Sequence, residues 1–275
     1  MSASFEAILL SRSYTFIVGA DAVPITVHEA ALAELAPGLK ALMRTEMSEG
    51  LAREARWDDV DKETFIRFAQ FAYIGDYSTP TMIVKPSVPA ADQTPRPPSP
   101  DDDFFLPANQ ADKNRAYPRA APVTKTIPVF KDLIYPRPMP QFNFEGTYNL
   151  KVGDGMGKNI GEILHIHASL YVLAQKWGVD RLKRLTLFKI HKTLNLFSLD
   201  ALRLEVVVGF VRYIYSDERT PDLASKVDEL RELVRQYIVA NAEFTSRNTT
   251  FLALIEEGGA LARDLWKYVA PRVNK

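Results

Sequence analysis

A mixed α+β fold, interrupted by a long proline-rich insert and followed by an all-α C-terminal bundle, is what this sequence predicts. Three observations carry the expectation. Strand-like and helix-like patterns alternate up to about residue 77; 14 of the 18 prolines fall between Pro80 and Pro140; and after the insert every apolar pattern has helical spacing. The 275 residues, 47% hydrophobic, give room for one large domain or two small ones with a buried core. Lysine plus arginine and aspartate plus glutamate each number 34, so no net basic field exists to hold a nucleic-acid backbone, and direct nucleic-acid binding is not expected. Cysteine is absent, which removes disulfides, thiolate nucleophiles, iron-sulfur ligation and every zinc site that needs cysteine. The longest apolar runs, such as Val206 to Val211, fall far short of the roughly 20 residues that span a bilayer. No basic segment precedes Ala7-Ile8-Leu9-Leu10, so no secretory signal is read, and a cytoplasmic or nuclear location is expected.

The first elements follow in order. Ser13 to Val18 and Val23 to Val27 are rich in β-formers and flank the turn-like Gly19-Ala20-Asp21-Ala22, which predicts a β-hairpin. Thr26 and Glu29 have capping-box spacing in front of the helical run Ala30 to Leu35. Pro37 suits the first turn of a second helix through Met43, and Arg56 to Val60 reads as a short strand. Asp61 then caps an amphipathic helix whose apolar positions, Phe65, Phe68, Ala69 and Ala72, lie three or four apart until Gly75 ends it.

Residues 78–158 read as an irregular insert. Proline at this density removes the N–H donors that helices and ladders need, so no long regular element is expected over 80–140. Its apolar islands, Phe104-Phe105-Leu106, Val129-Phe130 and Phe142-Asn143-Phe144, are richer than a pure linker carries, so parts of it are expected on the folded surface. Beyond it, Ile163, Ile166, Leu170, Leu173, Ala174 and Trp177 make one stripe, and Leu182, Leu185, Leu187, Ile190 and Leu194 mark the next helix. Longer helices are expected at about 199–215 and 222–243, then a pair, Thr249 to Glu256 and Ala260 to Val269, divided by Gly258-Gly259.

Several strings resemble a known family. Ser11 to Gly19 with Val27 to Pro37, then Trp57-Asp58-Asp59-Val60-Asp61-Lys62-Glu63-Thr64-Phe65 and Phe68 to Tyr77, are similar to the opening of a BTB/POZ domain, closest to the fungal BTB proteins. The resemblance resumes beyond the insert at His167 to Val179, and Val227 to Val234 and Glu257 to Leu265 resemble the helical tail of the same proteins. It implies a BTB/POZ fold whose first part is 11–77 and whose remaining helices are 159–195, with a BACK-like helical extension at 198–270. It also implies a protein-interaction module: a scaffold or substrate adaptor for a cullin-type ubiquitin ligase, with self-association, or alternatively a transcriptional or chromatin co-regulator acting through protein contacts. Met47-Ser48-Glu49 matches the hydrophobic-x-acid motif through which cullin-binding adaptors engage their scaffold, the hydrophobe packing and the acid orienting.

Other chemistry is weighed and set aside. His165 and His167 project apart on a helix, which disfavours a shared metal ion, and His28 and His191 read as structural. Asp58, Asp59, Asp61 and Glu63 read as capping acids. The basic residues Lys176, Arg181, Lys183, Arg184, Lys189 and Lys192 read as a solvated face. Neither a nucleophile elbow nor a phosphate-binding loop occurs, so no enzyme, cofactor, membrane or small-molecule role is expected.

Overall fold

The structure, a computed structural model, describes residues 4–44, 51–78, 129–138, 156–196, 199–216, 219–220 and 226–273. The fold is mixed α+β and mostly helical, with a small three-stranded sheet. Strand β1 (Ser13–Val18) is central: β2 (Val23–His28) pairs with it antiparallel, Phe16 opposite Ile25, and β3 (Glu54–Trp57) pairs parallel, Phe16 opposite Ala55. Alternate residues of β1, Tyr14, Phe16 and Val18, are buried, the two-residue period of a sheet with one face on a core. The hairpin needs a left-handed residue after β1, and Gly19, with φ +72°, supplies it while donating its N–H to the Trp57 carbonyl at 3.0 Å.

Two sequence expectations are corrected here. The third strand lies at Glu54–Trp57 rather than Arg56 to Val60: the Val60 N–H bonds back to the Trp57 carbonyl at 3.3 Å, which turns the chain at Asp58 toward the next helix. The Thr26/Glu29 capping box does not form, because Thr26 belongs to β2 and its hydroxyl lies 3.1 Å from that of Thr15. Helix α2 (Glu29–Ala33) starts instead at His28, and α3 (Pro37–Arg44) starts at its proline as expected.

Helix α4 (Lys62–Ile74) has the ends the sequence specified. Asp61 accepts the Thr64 N–H at 2.8 Å, and Gly75, with φ +73°, donates to Phe71. The N-terminal helix α1 (Phe5–Leu9) precedes the sheet. After the insert come α5 (Met156–Trp177), α6 (Asp180–Asn195), α7 (Ala201–Tyr215) and α8 (Glu229–Ala240), then a short α9 (Ala242–Thr245), α10 (Thr249–Glu256) and α11 (Gly259–Val273). The helix read as 222–243 is therefore shorter. Asp228 caps α8 by accepting the Leu230 N–H at 2.9 Å, and Asn241 divides α8 from α9. The last helix runs past its expected end and includes Pro271. Among the described residues no helix is long and apolar enough to cross a membrane.

Two buried clusters organise these elements. The first gathers Tyr14, Phe16, Leu32, Leu39, Met43, Trp57, Phe65, Phe68 and Phe71 with Ile166, Leu170, Leu173, Leu182 and Leu185 from beyond the insert. The second gathers Ile160, Leu164, Ala168, Tyr171, Leu187, Ile190 and Leu194 with Leu204, Val207, Val211, Leu230, Leu233, Val234 and Leu254. Helices α5 and α6 thus serve both clusters, one stripe for each. The described parts of 4–78 and 129–273 fall in one compact unit.

Candidate protein-interaction edge

Helix α1 buries one side chain, Ile8, and leaves the rest of its apolar surface exposed. Ser4 caps it, accepting the Ala7 N–H at 3.1 Å, and Ile8 is buried, while Phe5, Leu9 and Leu10 are exposed, Leu10 at 80%. The Ser11 hydroxyl pins the helix end by donating to the Ile8 carbonyl at 2.7 Å and accepting the Ala30 N–H at 3.1 Å. Next to it Glu29, buried at the start of α2, accepts from Arg12 Nε at 2.8 Å and from Arg44 Nε at 2.7 Å. One carboxylate therefore ties the chain after α1 to the last turn of α3.

Met47, Ser48 and Glu49 lie outside the described residues, but Arg44, the last described residue before them, is fixed by Glu29 beside the exposed end of α1. The described chain resumes at Leu51, which is 73% exposed. The described edge joins the exposed apolar side chains of α1 with Arg12 and Arg44 around Glu29.

The acidic residues divide by role. Asp61 is a cap, also accepting the Thr64 hydroxyl at 2.7 Å, whereas Asp58 pairs with Arg56 at 3.3 Å, Asp59 with Lys176 at 2.6 Å and Glu63 with Arg67 at 2.7 Å. Capping explains one of the four; Asp58 and Asp59 pair with cations of β3 and α5, and Glu63 with Arg67 one turn along its own helix. His28 is structural, with Nδ1 2.8 Å from the Tyr73 hydroxyl, and His191 bonds the Phe130 carbonyl at 2.9 Å. A carbonyl only accepts, so His191 Nε2 carries the proton. His165 is exposed and His167 fully buried, so the two diverge as helical spacing requires.

The reading of Lys189 as part of a solvated basic face is wrong. Its side chain is fully buried on α6, 2.5 Å from Asp76 Oδ1 and 2.5 Å from the Tyr77 carbonyl, with its ammonium 3.8 Å from the centre of the Tyr77 ring. Arg137 reaches the other oxygen of Asp76 at 2.8 Å, and the Tyr77 hydroxyl lies 2.8 Å from His167 Nδ1. Burial pushes the Lys189 ammonium down to about 8 against the opposing pull of Asp76, and burial with the nearby Lys189 charge holds His167 well below the usual histidine range. The sequence held a partial signal: Leu182, Leu185 and Lys189 lie three and four apart, which puts the lysine on the apolar face of α6.

A cavity of about 270 Å³ lies between the hairpin turn, the Asp58–Asp61 turn, α5 and the chain after α7. Within it the Ser169 hydroxyl is 2.9 Å from that of Tyr213 and 3.5 Å from His165 Nδ1. Its acids Asp59 and Asp61 are engaged by Lys176 and Thr64, so the serine and histidine have no orienting carboxylate from them. Among the described residues no group of three histidine or acidic side chains is placed to hold a metal ion. No family model, no curated protein and no solved structure matches this chain.

Proposed function

We propose that this protein is a protein-interaction module of BTB/POZ type, split by its insert and extended by a BACK-like helical tail, and that it works as a scaffold or adaptor rather than a catalyst. The observation that carries the reading is the edge built by α1, Glu29 and α3. Phe5, Leu9 and Leu10 stand in solvent there although the adjacent core is close-packed. Contiguous exposed apolar side chains next to charged ones are the composition of a contact surface. The proposed partners are a cullin-type scaffold, met through Met47 and Glu49, and a second copy of the chain, met through α1.

Calorimetry with a purified cullin N-terminal domain tests the first partner. The native chain is expected to give a saturable heat, and the Met47→Asp, Glu49→Lys double variant to lose at least tenfold in affinity, because a charge enters an apolar pocket and an ion pair is reversed. No heat with the native chain removes the cullin reading, and equal affinity in the double variant removes this motif. Sedimentation of the native chain beside a Leu9→Asp, Leu10→Asp variant tests self-association. A dimer that depends on those leucines, without cullin binding, favours the co-regulator alternative.

A further inference from the structure

The insert contains one described segment, Val129–Pro138, and its contacts are those of a bound peptide. It has little regular structure of its own, a single 3₁₀ turn at Phe130–Asp132. Phe130 is buried between His191 of α6 and Tyr237 of α8, ring centres 4.8 and 5.0 Å away, and its carbonyl accepts from His191. Beyond the turn the chain alternates: Leu133 and Tyr135 are half-buried against the second cluster, while Ile134 is 87% exposed. The Tyr135 hydroxyl donates to Gln236 Oε1 at 3.0 Å, and Arg137 pairs with the buried carboxylate of Asp76. Anchoring through every second side chain of an extended strand is how grooves read peptides, each anchor supplying specificity.

The walls of the cleft also have bonds of their own. Asp76 is held by Lys189, Gln236 is bonded to Glu232 at 2.7 Å, and the apolar residues of α6 and α8 share the second cluster with α5 and α7 as well as with Phe130. The segment itself has a single 3₁₀ turn, so its hold on the cleft rests on the anchors at Phe130, Leu133, Tyr135 and Arg137. Because it belongs to the same chain, it competes at a fixed effective concentration, and a ligand in trans displaces it once the ratio of that ligand's concentration to its dissociation constant exceeds the corresponding ratio for the cis segment.

We propose that the cleft between α6 and α8 is a peptide-recognition site, occupied here in cis by Val129–Pro138, whose partner in trans is an extended segment of another protein. That segment carries an aromatic residue, an apolar residue three positions on, an aromatic five on and an arginine seven on. The phenylalanine pocket between His191 and Tyr237 sets the register, and Asp76 selects the arginine. The insert is then an internal competitor that keeps the cleft filled until a client arrives. The site is separate from the α1–α3 edge and stands or falls independently of cullin binding there.

A fluorescein-labelled synthetic peptide of residues 128–139 tests this against the full chain. The native protein, its cleft filled, is expected to bind the probe weakly. A chain with Tyr135→Ala and Arg137→Ala, both outside the closely packed core, is expected to bind it at least tenfold more tightly, and a third change, Phe130→Ala, to tighten it further. Adding Gln236→Ala and His191→Ala to the double variant is expected to abolish the gain, as is replacing phenylalanine by alanine in the probe. Circular dichroism melts confirm that each variant is folded; the double variant decides the question even if Phe130→Ala is unstable. A folded double variant that binds no better than the native chain overturns the proposal. A native chain that forms a concentration-dependent dimer, lost in the double variant, also overturns it, because the occupant is then the same segment of a second copy.

Discussion

The two buried clusters are built in opposite ways. In the first, aromatic rings from four distant parts of the chain meet: Phe16 of β1 lies 4.8 Å from Trp57 of β3 and 5.0 Å from Phe65 of α4, and Trp57 stacks on Trp177 of α5 at 5.0 Å and 18°. In the second, helices that follow one another in sequence pack largely aliphatic stripes, and the rings brought from the insert are Phe130 and, at the edge, Tyr135. The first cluster must therefore close the loop from Tyr77 to Met156 before it is complete. The entropy of that closure grows only as the logarithm of length, about 0.6 kcal/mol per doubling, so a long insert is tolerated by a core that is dense once formed. The difference teaches that an interrupted domain survives when its second half is a rigid helix pair already held by a local core.

The largest effect is expected where the two clusters join. Lys189→Ala takes the buried ammonium from the buried Asp76 carboxylate, which Arg137 and the Tyr77 N–H also contact, and is expected to cost about 3–5 kcal/mol, the usual result of breaking a buried pair from one side. Tryptophan fluorescence and far-ultraviolet circular dichroism should report one coincident urea transition, in the native chain and the variant alike. Trp57 is buried in the first cluster while Trp266 is 70% exposed, so fluorescence follows that cluster and dichroism follows the helices. Separate midpoints break the picture of coupled clusters.

The pH dependence is expected to have three limbs. Folded His167 and His191 are held below the ordinary value, so the unfolded chain takes up more protons as pH falls below about 6.5, and stability is lost toward acid. Folded Lys189 titrates near 8 and unfolded lysine near about 10.4, so the unfolded chain holds more protons between these values and stability rises with pH across that window. Burial raises Tyr135, Tyr171, Tyr215 and Tyr237, so above about pH 10 the unfolded chain releases protons first and stability falls again. Urea midpoints at several pH values from 5 to 11 check all three limbs; a Lys189→Met variant should lose the middle one and, without the charge that helps depress His167, weaken the acid one.

The smallest effects compare one helix cap from each region. Asp61→Ala removes a cap from α4 and is expected to cost about 1 kcal/mol. Asp228→Ala should cost more, about 2–3 kcal/mol, because Asp228 caps α8 and also accepts the buried Tyr171 hydroxyl at 3.0 Å, which would be orphaned. Equal losses would mean that the Tyr171 bond contributes nothing.

Much of the local structure was legible in the residues. The hairpin, the Asp61 cap, the Gly75 stop and the whole of α10 follow from turn chemistry, side-chain caps and apolar spacing, each a matter of neighbours within about four residues. The limits of β3 were not legible, because its pairing with β1 and the turn at Asp58 fix them from outside the strand. Nor was the second face of α5, since Ile160, Leu164, Ala168 and Tyr171 interleave with the first stripe and only the tail helices tell them apart.

For the candidate sites, the sequence offered Met47-Ser48-Glu49 through a resemblance, while the exposed end of α1 and the Glu29 tie came from the tertiary structure. Lys189 sharpens the division. Its spacing with Leu182 and Leu185 already placed it on an apolar face, but spacing alone does not distinguish a solvated lysine from a buried one. Tertiary structure decided the matter by bringing Asp76 to its ammonium and Phe130 to His191. A charge or a ring is buried only where a distant part of the chain supplies its partner, and sequence distance carries no record of that meeting.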